Sequence, residues 1–184
     1  MSLHADATAV LTGWDPPDAE QAELREHYLK YLAGHEDGMW RSSRPEHLTA
    51  SALVVDPVTP RVLLTLHGVV NRWLQLGGHC EPGDTTLSGA ALREATEESG
   101  LTGLRIDPQP LQLSRHEITA GGCRGTFHLD VQFRVTAAAG TAYVVSDESH
   151  DLAWFPADKL PEDVDQSVSD LVNRAYRGCA GRSL

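Results

Sequence analysis

Long apolar runs are missing from this sequence. The longest wholly apolar stretches, such as Ala52–Val55 and Val62–Leu64, are only a few residues long, against the roughly 20 that a helix needs to cross a bilayer. The opening Met1-Ser2-Leu3-His4-Ala5-Asp6 lacks a basic region followed by an apolar stretch, so no secretory signal is expected. Cysteine is scarce too: Cys80, Cys123 and Cys179 are odd in number, widely spaced and without a CxxC pair. That argues against a disulfide framework and leads us to expect reduced thiols in a cytoplasmic protein. Basic residues are also few, 15 Lys and Arg against 26 Asp and Glu, for a formal charge of -11. Such a surface repels a polyphosphate backbone, which makes nucleic acid an unlikely partner. A small phosphorylated substrate accompanied by metal cations is still open.

What is present is the makings of a core. A chain of 184 residues with 41% hydrophobic content reads as one globular domain with an appendage. We place the appendage, a helical N-terminal extension, at residues 1–45 and the main domain at 46–184. Within the extension, Asp15-Pro16-Pro17-Asp18 is a stop-and-start signal, Ala19 to Leu32 has helical composition, and Gly34 to Gly38 ends it. This segment would pack on the main domain or on a second subunit. From His47 the pattern becomes β-rich: Thr49–Asp56 and Arg61–His67 flank the turn Pro57-Val58-Thr59-Pro60, an antiparallel pair, and Val69–Leu76 continues as a strand. A helix is expected from about Thr85 to Ser99, with Gly100 in the left-handed capping position. Further strands are expected at Leu111–Ile118, Thr126–Thr136 and Leu152–Phe155, and a last helix at Val164–Tyr176. The class is α/β or α+β, layered around one sheet.

The chemistry concentrates in Gly77-Gly78-His79-Cys80-Glu81-Pro82-Gly83-Asp84 and in Arg93-Glu94-Ala95-Thr96-Glu97-Glu98-Ser99-Gly100-Leu101. On a helix, Glu94, Glu97 and Glu98 lie at i, i+3 and i+4 and share a face with Leu87, Ala90 and Ala91. An apolar stripe therefore runs into three carboxylates. Like charges so spaced cost about 0.2–0.5 kcal/mol per pair even when exposed, and a divalent cation reverses the sign. Hard oxygen ligands of this kind suit Mg²⁺ or Mn²⁺. The preceding glycines let backbone approach a metal or phosphate closely.

This stretch resembles the signature of the Nudix hydrolases: Gly, five residues, Glu, seven residues, then Arg-Glu-aliphatic-x-Glu-Glu-x-Gly-aliphatic. The second half matches from Arg93 to Leu101 and the first at Gly78. Two departures stand out: Asp84 takes the place of the first Glu, and eight residues rather than seven separate it from Arg93. The extra residue lengthens the loop or the first helical turn. The resemblance implies an α/β/α sandwich with a mixed central β-sheet and a loop–helix–loop motif at its edge. It implies Mg²⁺-dependent hydrolysis of a pyrophosphate linkage in a nucleoside diphosphate derivative or a nucleoside triphosphate. It further implies that Glu94, Glu97 and Glu98, with the Gly77 carbonyl, ligate Mg²⁺ (or Mn²⁺), and that Arg93 orients a signature carboxylate, Glu81 or Asp84. The base that activates water is expected to be Glu98, with Glu148 as the distant candidate.

Outside the signature, His128 and Asp130 alternate with apolar residues, facing either the substrate cleft or solvent. Trp73 and Phe127 would either stack on a base or fill the core. His116, Cys123 and His128 match no standard zinc spacing and read as structural. Cys80 has no evident role, because the metal–water route needs no thiol. The alternatives are a non-catalytic Nudix-fold module that binds a nucleotide metabolite, which would be expected to have lost signature carboxylates, and an isoprenoid diphosphate isomerase, for which no matching motif is seen. A homodimer is compatible with the helical extension.

Overall fold

The computed structural model describes residues 1–140 and 149–177. Two helices lead in, α1 (Leu3–Gly13) and α2 (Ala19–Gly34), each started by a side-chain cap: Ser2 accepts from the Ala5 N–H and Asp18 from the Gln21 N–H. The strands follow as β1 (Glu46–Val55), β2 (Arg61–His67), β3 (Trp73–Leu74) and β4 (Leu76–His79), then helix α3 (Leu87–Ser99), β5 (Arg105–Glu117), β6 (Phe127–Thr136), β7 (Ser149–Pro156) and α4 (Gln166–Arg177). These seven strands form one sheet, ordered β3-β2-β1-β6-β5, with β4 also pairing β1 and β7 pairing β2. Only β1 and β6 run parallel among these pairs, so the sheet is mixed.

β1 shows why the sheet carries helices on both faces. All ten of its residues are buried, and its side chains alternate between two cores. Leu48, Ala50, Ala52 and Val54 join Leu3, Ala7 and Leu11 of α1, Tyr28 and Leu32 of α2, and Leu87, Ala90, Ala91 and Ala95 of α3. Leu53 and Val55 instead meet Val168, Leu171, Val172 and Ala175 of α4, a helical i, i+3, i+4, i+7 stripe. The lead-in helices thus pack on the same layer as α3. Gln21 fastens α2 to β5, donating to the Leu113 carbonyl at 3.0 Å and accepting its N–H at 2.7 Å.

Two stretches depart from expectation. Residues 69–76 are not one strand: Asn71 adopts a left-handed φ of 51° and the His67 and Arg72 backbones close a tight turn, leaving Val69 and Val70 at an exposed tip. The chain then divides its pairing, β3 with β2 and β4 with β1. β5 begins six residues earlier than the apolar pattern suggests, at Arg105. Pro108 and Pro110 mask its start, since proline offers no ladder N–H, and the register shifts on either side of Pro110. No helix among the described residues is long and apolar enough to cross a membrane.

Candidate active site

The polar floor of the site comes from the same face of β1 that α4 covers further along. Thr49 and Ser51 occupy that face before Leu53 and Val55 do, and both donate to the buried Asp130 carboxylate, at 2.9 and 2.8 Å. Gln75 and Gln132 donate to its other oxygen. Asp130 is therefore fully engaged in tying β1, β6 and the β3–β4 link together. Above this floor opens a cleft of about 1510 Å³, whose lining includes Gly78, Glu94, Glu97, Glu98, Asp130 and Arg115. Glu20, Gln21 and Leu24 contribute as well, so α2 forms part of its wall.

The acids of α3 enter this cleft because the helix is pinned at both ends. Thr86 caps its start by accepting the Gly89 N–H, and Gly100, at φ 64°, closes it. Asp6 of α1 also accepts the Leu87 N–H at 2.8 Å. The buried stripe Leu87, Ala90, Ala91 and Ala95 sets the helix rotation, and Glu94 and Glu98 continue it as half-buried side chains. Glu97 lies on the flank with 58% of its side chain exposed, against 14% for Glu94. The three acids thus share a face but differ in burial.

Arg93 organises them. Its fork donates to both oxygens of Asp84 at 3.1 and 3.0 Å, to Glu94 and Glu97 at 2.9 Å each, and to the His79 carbonyl at 3.0 Å. Of the two expected partners, Asp84 takes the bidentate contact and Glu81 stands 4.0 Å away. The eight residues between Asp84 and Arg93 take in the Thr86 cap and the first turns of α3, and Asp84 additionally accepts the Glu81 N–H at 2.7 Å. Burial opposes the Asp84 charge, yet the Arg93 and Glu81 hydrogen bonds outweigh it and hold this carboxyl below the ordinary range. The Asp84 hydrogen bonds first, and then Glu94 and Glu97, raise Arg93 further above its usual value.

The glycines have steric reasons. A Cβ on Gly77 would lie 2.3 Å from the Ser51 Oγ and 2.5 Å from its Cα, so only glycine lets β4 lie this close to β1. A Cβ on Gly78 would sit 2.9 Å from the Glu94 carboxylate; that acid fills the space the glycine leaves. The Gly77 N–H donates to Glu98 at 3.2 Å. Four carboxylates (Asp84, Glu94, Glu97, Glu98) meet one guanidinium here, an excess of three negative charges by subtraction among these residues. Hard oxygens in such excess fit a divalent cation such as Mg²⁺.

The other expected residues fall as follows. Glu148 lies outside the described residues. Trp73 is not among the residues lining this cleft: its indole packs edge-on against Phe155, ring centres 4.7 Å apart, in the core beneath α4. A two-residue strand beside β2 aims it there. His128 does line the cleft, but within a knot of imidazoles with His47 and His79. His47 and His79 carry no ligand spacing in the sequence, and only the pairing of β1 with β4 and β6 brings them beside His128. Cys80 is buried, and burial, with Asp84 nearby, pushes its thiol up to about 12, which leaves it protonated and inert at neutral pH.

Comparison with known proteins agrees with this geometry. The family model described as NUDIX domain matches residues 45–174. No curated protein matches the chain. Among solved structures, a C. elegans Ap4A hydrolase in a binary complex superposes with a TM-score of 0.64 at 18% identity, covering 73% of this chain and 98% of that one. The E. coli dihydroneopterin triphosphate pyrophosphohydrolase gives 0.60 at 20% identity, covering 73% and 97%. A MutT protein from Methanosarcina mazei Go1 gives 0.60 at 19% identity, covering 74% and 97%. These likenesses are of fold.

Proposed function

The chain belongs to the NUDIX family of pyrophosphohydrolases, and from that premise we propose that it cleaves a pyrophosphate linkage in a small nucleotide, a nucleoside diphosphate derivative or a nucleoside triphosphate, with Mg²⁺ as cofactor. The observation that carries this reading is the excess of carboxylate over guanidinium at Asp84, Arg93, Glu94, Glu97 and Glu98 on the wall of an open cleft. Similar structures include hydrolases of Ap4A and of dihydroneopterin triphosphate, both pyrophosphate-containing compounds.

Glu94, Glu97 and Glu98 would hold the cation. Bound among them, Mg²⁺ would neutralise pyrophosphate charge and lower the pKa of a water, so that its deprotonated form is available as nucleophile near neutral pH. The chain's own residues do the rest. Glu98, steadied by the Gly77 N–H, accepts the proton from the attacking water. Arg93 keeps Glu94 and Glu97 in place while Asp84 keeps Arg93 in place. Arg115 lines the cleft as well, stacked over the Phe127 ring with its charge already met by the Glu46 carboxylate. The widely spaced thiols suit a reducing compartment, the cytoplasm.

A panel of nucleoside diphosphate derivatives and nucleoside triphosphates tests this. Release of phosphate-containing products with Mg²⁺, abolished by EDTA, is the expected result. Binding of these compounds without turnover at any Mg²⁺ or Mn²⁺ concentration would leave a nucleotide-binding module instead.

A further inference from the structure

Beside the acid cluster, four softer ligands converge that the hydrolytic reading does not use. His47 is the second residue of β1, His128 the second of β6 directly opposite it in the parallel register, and His79 ends β4 on the other side of β1. Cys123 reaches in from the turn of 3₁₀ helix at Gly121–Cys123 between β5 and β6. One ligand atom from each of the four lies within 4.8 Å of all the others. The three imidazole centres stand 4.8–5.2 Å apart, and His79 Nε2 lies 3.4 Å from Cys123 Sγ. A tetrahedral zinc with bonds of about 2.0–2.1 Å to nitrogen and 2.3 Å to sulfur separates its ligands by roughly that last distance.

Two further observations point to a ligand. Nε2 of His47 and Nε2 of His128 are buried and have no hydrogen-bond partner, and His47 is wholly buried. The other nitrogen of His47, Nδ1, lies 3.3 Å from the Ser43 carbonyl. A carbonyl only accepts, so Nδ1 carries the proton and Nε2 presents a lone pair, the orientation that an outer hydrogen bond gives a metal-bound histidine. Arg41 donates to the Cys123 sulfur at 3.2 Å, a matching outer contact for the fourth ligand.

We propose that His47, His79, Cys123 and His128 form a closed, four-protein-ligand zinc site that braces the strand ends beneath the signature loop. Three nitrogens and one sulfur suit a borderline-soft ion and not Mg²⁺. With every position taken by protein, the site is structural. Its effect on the active site runs through His79, whose carbonyl accepts from Arg93, so fixing this ring fixes the residue that follows Gly77 and Gly78. His116, whose ring centre is 5.4 Å from that of His128, stands outside the quartet.

Metal content tests this without reference to hydrolysis. Protein expressed with zinc and purified without a polyhistidine tag is expected to carry about one zinc per chain. After stripping, titration with Co²⁺ alone should give the absorption of a tetrahedral site with a thiolate-to-cobalt charge-transfer band. Cys123→Ser should lose that band, His128→Ala should weaken Co²⁺ binding at least ~10-fold, and Glu98→Gln should leave both unchanged. Zinc-free protein whose Co²⁺ titration shows no thiolate band overturns the site, and that result is read on the wild-type chain, whatever the variants do. A Cys123→Ser protein with an unaltered band would equally overturn it.

Discussion

Two polar clusters meet at His79, and they solve opposite problems. On the α3 side, four carboxylates crowd around one guanidinium, which engages three of them directly. On the strand side, three neutral imidazoles and a thiol leave buried nitrogens with nothing to bond. The first cluster has too much charge and hard oxygen, and the second has unused lone pairs and almost no charge. If both proposals hold, the contrast would sort two cations of different character by ligand type alone. The acid side opens to the cleft, where a substrate can complete the shell. The imidazole side also borders the cleft through His79 and His128, but there four protein ligands would complete the shell without a substrate.

The largest expected effect comes from removing one hard ligand. Glu98→Gln should lower kcat by about 10²–10⁴-fold, the range for losing a proton acceptor, with circular dichroism and Tm unchanged. A near-normal rate would take Glu98 out of both the ligand set and the base position, and the contrast would lose its acid half. Asp84→Asn acts one step back, through Arg93, and should cost about 10–100-fold in kcat. It also carries a pH signature. The folded Asp84 carboxyl titrates below its unfolded value, so its stabilising contribution is complete above the unfolded pKa of about 3.9 and disappears as pH falls through the lowered folded value. Denaturation of wild type and Asp84→Asn should therefore differ at pH 7 and converge in strong acid. A gap that persists in acid strong enough to protonate the folded carboxyl would mean that packing, not charge, explains the residue.

How much of this was legible depends on the distance in sequence between partners. Glu94, Glu97 and Glu98 could be placed together because i, i+3 and i+4 determine a shared face before any tertiary contact exists. The same locality made Gly100 readable as a cap and Arg61–His67 as a strand. His47, His79, Cys123 and His128 come from four separate elements, and only the pairing of β1 with both β4 and β6 brings them together. No spacing rule encodes that, and grouping Cys123 and His128 with His116 chose a neighbour that the fold places outside the quartet. Trp73 is open between base and core in the sequence, and the break in the strand at Asn71 sends its ring into the core under α4.

Smaller effects refine the contrast. Gly78→Ala places a methyl 2.9 Å from the Glu94 carboxylate, the far end of a flexible side chain, so the fold should hold while the acid moves. We expect a loss of about 10-fold in kcat, with a higher Mg²⁺ requirement; unchanged kinetics would show that Glu94 is free to reposition. The two buried thiols should also behave differently. Cys80→Ser is expected to keep nearly full activity. With its thiol pushed up to about 12, about one part in ten thousand of Cys80 is thiolate at pH 8. Alkylation there should stay slow until the solution is strongly alkaline, and activity lost on conversion to serine with the fold intact would reopen a thiol mechanism.

The separation of the two clusters by ligand hardness is tested most directly by a Mn²⁺ titration followed by electron paramagnetic resonance, on wild type, Glu94→Gln/Glu98→Gln and Cys123→Ser. The account predicts that Mn²⁺ binding is lost in the double carboxamide variant and retained at wild-type affinity in Cys123→Ser. Equal Mn²⁺ binding by wild type and the double variant would contradict it.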